Sequence, residues 1–143
     1  MNLSKNFVLD EFLKSQTATR HKIEEQFNPP DNIVENLKEL CYNLLQPIRD
    51  TLPGYIVISS GYRSPELNRR IKGARSSQHM KGQAADCNYY EDGIEQNMIL
   101  FDKVIKLGLP FDQMIKEYGT EEYPAWIHLS FSERNRKQIL TIK

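Results

Sequence analysis

The sequence predicts an α+β domain in which N-terminal helices pack on a small, mainly antiparallel sheet. Three observations carry that expectation. Apolar residues recur at helical spacing through the first third of the chain, a β-branched run bounded by glycines follows at residues 55–59, and two more strand-like runs stand at 111–118 and 126–131. Helices that come first and strands that come late point to α+β and not to an alternating α/β order.

In chain order, Val8, Phe12 and Leu13 stand at helical spacing behind Ser4 or Asn6, and residues 18–27 read as a short second helix stopped by Pro29-Pro30. A stronger helix is expected next, with Asp31 or Asn32 as N-cap. Its apolar stripe is Ile33, Leu37, Leu40, Cys41, Leu44, Leu45 and Ile48, and it should end near Leu52-Pro53-Gly54. Tyr55-Ile56-Val57-Ile58-Ser59, between Gly54 and Gly61, has the character of a strand buried in a sheet. Ser64-Pro65-Glu66 supplies an N-cap and a first-turn proline for a short helix carrying Leu67 and Ile71. Residues 84–88 read as a second strand and 94–107 as a helix with Gly108 past its end. The runs 111–118 and 126–131 form a hairpin joined by a polar loop through Gly119 and Pro124.

Length and composition narrow the function classes. At 143 residues the chain suits one folding unit over 1–143, and 39% hydrophobic with 27% charged residues suits a packed core better than disorder or coiled coil. Nineteen Lys and Arg balance nineteen Asp and Glu, which leaves no basic excess for a phosphate backbone, so nucleic acid is not an expected partner. No apolar run approaches the ~20 residues that cross a bilayer, so membrane insertion is not expected. Residues 1–7 do not open into the apolar core of a signal peptide, which sets the expectation of synthesis in a cytoplasm without a visible export signal. Cys41 and Cys87 form no CxxC pair and are expected as buried free thiols.

Three residues could carry chemistry. His79 and Asp86 lie in Ser77-Gln78-His79-Met80-Lys81-Gly82-Gln83-Ala84-Ala85-Asp86, and His128 lies in Trp126-Ile127-His128-Leu129-Ser130. Two imidazoles and one carboxylate with a fourth position open make a catalytic zinc set. Gly82 permits a tight reversal, and Ala84 and Ala85 allow close approach of backbones. The plain alternative makes His128 a histidine of an amphipathic strand and His79 a loop cap, and on residues alone the two readings stand side by side. His21, among Arg20, Lys22, Glu24 and Glu25, reads as a surface residue.

Ser59-Ser60-Gly61-Tyr62-Arg63-Ser64, Asn68, Gly73, the Ser-x-His-x-x-Gly-x-Ala-x-Asp segment at 77–86 and Trp126-Ile127-His128 together resemble the zinc D-Ala-D-Ala carboxypeptidase family. That family shares its zinc-site architecture with the hedgehog signalling domain and with phage and bacterial peptidoglycan peptidases. The resemblance spans about residues 7–131 and implies a hedgehog-like, D-Ala-D-Ala peptidase-like fold. It implies that His79, Asp86 and His128 bind Zn2+, which polarises a peptide carbonyl and lowers the pKa of its water toward ~7.

Many relatives carry an acidic residue three positions before the last histidine, where this chain has Ala125. The candidates for the missing base are Glu117, Glu121 and Glu122. Strand alternation places Ile127, Leu129 and Phe131 on the core face and leaves His128 on the cleft face with Trp126 and Ser130. Gln113, Ile115 and Glu117 share one face of the preceding strand, and if Glu117 pairs opposite His128 their Cβ atoms stand about 5 Å apart. A slip of one residue would remove it, and Glu117 is preferred.

The resemblance places Arg63 near the metal, where a fixed guanidinium meets the scissile carbonyl or its developing oxyanion; the plain alternative pairs it with Glu66 on the surface. Ser77 is expected to orient the His79 loop or a substrate group, and Gln113 to support a ligand from behind. Trp126 is the best candidate to line a peptide groove, with Tyr89, Tyr90, Tyr118 and Tyr123 as further aromatics. Two functions remain open at this point. One is a zinc peptidase, carboxypeptidase or endopeptidase, acting as a monomer on peptidoglycan stem peptides in the cell wall, with a phage or prophage lytic enzyme fitting the missing signal. The other is a noncatalytic, metal-containing module that binds cell wall or a partner, which Ala125 would suit.

Overall fold

The chain enters through a hairpin of β1 (Asn2–Ser4) and β2 (Phe7–Val8), followed directly by α1 (Leu9–Leu13), in a computed structural model that describes residues 1–143. The expected second helix is two shorter pieces, α2 (Gln16–Arg20) and a 3-10 turn (Glu24–Phe27). Lys22 adopts φ 55° between them, which breaks the helix and turns Ile23 inward to a buried position.

The long helix forms as α3 (Asp31–Leu40) and α4 (Gln46–Thr51), joined by a π turn (Cys41–Leu45). Its N-cap is Pro30 and not Asp31 or Asn32, because the Pro30 carbonyl accepts from the backbone of Ile33 and Val34 and so begins the ladder one residue early. Asp31 falls in the first turn, where its charge meets the positive end of the helix dipole. The π turn has a cause in Pro47, which lacks the N–H that an α-helix would give the Asn43 carbonyl. Gln46 instead bonds back to the Cys41 carbonyl. Its side chain accepts from Ser4 Oγ and the Asn6 N–H and donates to Asn6 and Asp50, pinning the N-terminal hairpin.

Leu37, Leu40, Leu44, Leu45 and Ile48 are fully buried and share one core with Ile58, Leu100, Met114 and Ile127. Cys41 and Cys87 are buried free thiols in that core. The sheet runs β3 (Tyr55–Ser60), β4 (Ala84–Glu91), β7 (Pro124–Ser130), β6 (Gln113–Gly119) and β8 (Gln138–Ile142) in spatial order. All neighbours are antiparallel except β6 and β8, and the class is α+β as the residue pattern predicts. Between β3 and β4 stands α5 (Pro65–Arg70), capped as expected by Ser64.

Several boundaries differ from expectation, the N-terminal hairpin takes Val8 out of the expected helix, and two late strands were not foreseen. Strand β4 continues to Glu91 and turns through Asp92 and Gly93, both at positive φ (52° and 76°), into β5 (Ile94–Glu95). The helix α6 (Asn97–Leu107) therefore begins three residues later than residue 94, while Gly108 ends it at φ 64° as expected. The other unforeseen strand is β8, exposed along its length, whose partners on β6 lie 25 residues upstream.

Candidate active site

Strands β4 and β7 pair with Asp86 opposite His128, so their side chains leave the sheet on the same face. The third residue arrives on a 3-10 turn (Gln78–Lys81) just before β4. Ser77 Oγ caps this turn by accepting from the His79 backbone N–H, and Gly82 ends it at φ 69°. A Cβ at Gly82 would stand 2.8 Å from the Ile33 carbonyl oxygen, so the reversal that delivers His79 needs a glycine.

His79 Nδ1 lies 2.7 Å from the Gly61 carbonyl oxygen, which can only accept, so the ring carries its proton there. Nε2 then presents a lone pair 3.4 Å from Asp86 Oδ1, and His128 Nδ1 stands 3.1 Å from the same oxygen. One donor atom from each of the three residues falls within 4.8 Å of the others, and both imidazoles are buried. With neutral His79, an imidazole lone pair faces a carboxylate oxygen, an arrangement that a cation between them relieves. The donor set fits zinc. Burial raises the Asp86 pKa; hydrogen bonds and charge from His128 and His79, available when the imidazoles carry an extra proton in place of a metal, outweigh it and hold the carboxyl far below its ordinary range.

These residues line a cavity of about 850 Å³ together with Arg63, Ser77, Gln113, Glu117, Tyr118 and Trp126. Glu117 does not sit opposite His128: Ile115 does, and Glu117 pairs with Trp126. The hairpin is displaced by two residues from the expected register because β7 begins at Pro124 and the turn uses only residues 120–123. A shift of two preserves the face, so Glu117 remains on the cavity side. Trp126 Nε1 donates to Glu117 Oε2 at 2.6 Å, which commits one carboxylate oxygen and leaves Oε1 free of a side-chain partner. Glu121 and Glu122 are exposed in the turn and do not line this cavity. Alternation along β7 points residue 125 away from the face of His128, so in this strand a carboxylate there would not meet the ligands.

Arg63 is half-buried at the cavity wall, with Nη1 donating to Asn68 Oδ1 at 3.2 Å and Nη2 to Ser77 Oγ at 3.5 Å. Its Nε is buried without a partner. Burial lowers the guanidinium pKa, and the charges of Asp86 and Glu117 work against that. The surface pairing with Glu66 does not form, since Glu66 is bonded to Arg69 and Arg70. Gln113 lines the cavity, but its side-chain amide donates to Gln138 Oε1 on β8 at 2.7 Å and touches no ligand imidazole.

The aromatics divide. Tyr118 and Trp126 line the cavity with ring centroids 5.2 Å apart. Tyr89 is buried packing whose hydroxyl donates to Glu91 and accepts from Gly54, and Tyr90 stacks on Tyr55. Tyr123 and His21 are exposed. Sequence reasoning missed Gln78, Arg134 and Arg136 in the cavity wall, and Asp112 behind it. The one available signal was Asp112 itself, an acid ahead of an apolar strand, whose side chain is fully buried and whose pKa Arg136 brings down to about 2.

A protein-family model described as Peptidase M15 matches residues 5–130. No curated protein matches the chain.

Proposed function

The chain belongs to the Peptidase M15 family, and on that premise we propose that it is a zinc peptidase that hydrolyses peptidoglycan stem peptides. The observation that carries the reading is the convergence of His79, Asp86 and His128 with Glu117 and Arg63 on one cavity. His79 through Nε2, Asp86 through Oδ1 and His128 through Nδ1 would hold the ion. When bound, zinc supplies Lewis acidity to a peptide carbonyl and acidifies water.

The rest falls to the chain. Glu117, held at Oε2 by the Trp126 N–H, takes the proton of the attacking water and returns it to the leaving amine. Arg63 aims a permanent charge and directed donors, one of them buried and unspent, at the oxygen where negative charge gathers. Ser77 supports both the His79 turn and the Arg63 guanidinium. The Gly61 carbonyl fixes the His79 tautomer. Trp126 and Tyr118 supply an apolar wall for the peptide.

Ala125 favours a second reading, a noncatalytic metal-containing binding module, and a carboxylate at Glu117 on the cavity side weighs against it. Incubation of the zinc-loaded protein with purified peptidoglycan, followed by mass analysis of soluble fragments, tests the reading. Release of D-alanine assigns a carboxypeptidase and release of cross-link fragments an endopeptidase. No fragment above the chelator-treated control would sink the peptidase reading and leave the binding module.

A further inference from the structure

Residues 131–143 lie beyond the span that matches the family, yet they wall one side of the cleft. Arg134, Arg136 and Ile142 line the same cavity as the three metal-binding candidates. The two arginines are in different situations. Arg136 is fully engaged: its Nε donates to Asp112 Oδ1 at 2.8 Å, its Nη2 to Oδ2 at 3.1 Å and its backbone N–H to Oδ1 at 3.0 Å. Gln78 Nε2 donates to Asp112 Oδ2 at 2.9 Å, so four donors meet two oxygens and the buried carboxylate is saturated.

Arg134 has no such partner. Its guanidinium makes no hydrogen bond, its Nε stops 3.6 Å from the already saturated Asp112, and its side chain is 63% exposed. Around the cavity, Arg63 is set against Asp86 and Glu117, and Arg136 against Asp112. Arg134 shares Asp112 with Arg136 at ion-pair distance only, and of the three arginines it is the one whose guanidinium makes no hydrogen bond. A guanidinium with its fork unspent at the wall of a peptide cleft suits a planar anion better than a neutral backbone.

We propose that Arg134 docks a carboxylate carried by the substrate peptide, and that Asp112 and Arg136 hold the segment that presents it. The proposal rests on the peptidase reading above and adds to it the residue that recognises a carboxylate of the substrate. The carboxylate comes either from the peptide's C-terminus or from an acidic residue within it.

The test uses zinc-loaded Glu117→Gln protein, so that binding is read without turnover, and calorimetric titration with three peptides. One is an acetylated tetrapeptide ending in D-Ala-D-Ala with one internal glutamate and a free C-terminus. The second is its C-terminal amide, and the third has glutamine for the glutamate. One of the two neutralisations should weaken binding about tenfold, as one charge-assisted pair of ~1.4 kcal/mol requires, and it identifies the source. Adding Arg134→Ala should erase that difference, and Arg134→Lys should keep part of it. The proposal is overturned if all three peptides bind alike, if none binds, or if the difference persists undiminished in Arg134→Ala, which would assign the carboxylate to the metal or to Arg63. Hydrolysis by the wild-type protein is scored separately, so failure of the peptidase reading is distinguishable from failure of this one.

Discussion

The paired strands β4 and β7 and the segment after residue 130 reach the same cavity by opposite means. Asp86 and His128 stand on neighbouring strands whose alternate residues Ala85, Cys87, Ile127 and Leu129 are buried in the main core, so their positions are set by packing. Arg134 and Arg136 stand on a segment whose strand, β8, is exposed along its whole length and which is held by its parallel ladder to β6 and by one buried carboxylate, Asp112. The first region falls inside the family match and the second outside it. On the reading proposed above, chemistry that tolerates little displacement is built on the core, and the arginine proposed to select a ligand is hung on the margin, where a change need not disturb the candidate metal ligands.

The sharpest way to break this comparison is at the ligands. His79→Ala and His128→Ala should each lose bound zinc and all measurable hydrolysis while the fold persists; metal analysis beside circular dichroism checks it, and a folded variant retaining a full equivalent of zinc would refute the ligand set. Next in size, Glu117→Gln should keep its zinc and lose turnover by ~10²- to 10⁴-fold. Unchanged turnover would move the base away from the Trp126 pair. Arg63→Ala should lower kcat by about 10²- to 10³-fold with KM little altered, and Arg63→Lys should restore only part, since an ammonium lacks the planar fork. A rise in KM alone would make Arg63 a binding residue for the ground state.

The smallest effect should come from the margin. Asp112→Asn should leave zinc content intact and loosen residues 132–142 selectively, read as faster hydrogen exchange there than in β4 and β7. Its pH dependence has a definite sign. The Asp112 carboxyl is held at about 2, below its ordinary 3.8, mainly by hydrogen bonds from Arg136, so the stability it contributes is present above the ordinary value and fades as pH falls through about 2. The difference between wild type and Asp112→Asn should therefore shrink on acidification between about pH 5 and 2. A difference that stayed constant over that range would mean the charge of Asp112 is not what ties the segment down.

How much of this was legible in the sequence follows the same divide. The three candidate ligands, the buried strand, the capped α5 and the face shared by Gln113, Ile115 and Glu117 rest on local patterns, and periodicity two survives an error of two residues in register. The register itself was not legible, because it depends on where the turn closes, and neither was β8, whose residues gain their partners only from a strand far upstream. The late start of α6 was readable in Asp92-Gly93, a hairpin signal that the helical spacing of Ile94 obscured. Asp112 could be noticed as an acid but not paired, since Arg136 and Gln78 reach it from 24 and 34 residues away.

The π turn at Cys41–Leu45 has a consequence for how insertions and deletions act on this chain. A wide turn accommodates about one extra residue, and each residue advances an α-helix by about 100°, so everything after it is rotated relative to what precedes it. Gln46, the first residue past the turn, owes its direction toward the N-terminal hairpin to that rotation. Removing one residue from the turn would leave the composition and apolar content of the helix almost unchanged, yet it would swing Gln46 away from Ser4 and Asn6 and carry Ile48 off the core. In this helix the count of residues is itself an instruction, separate from their identity.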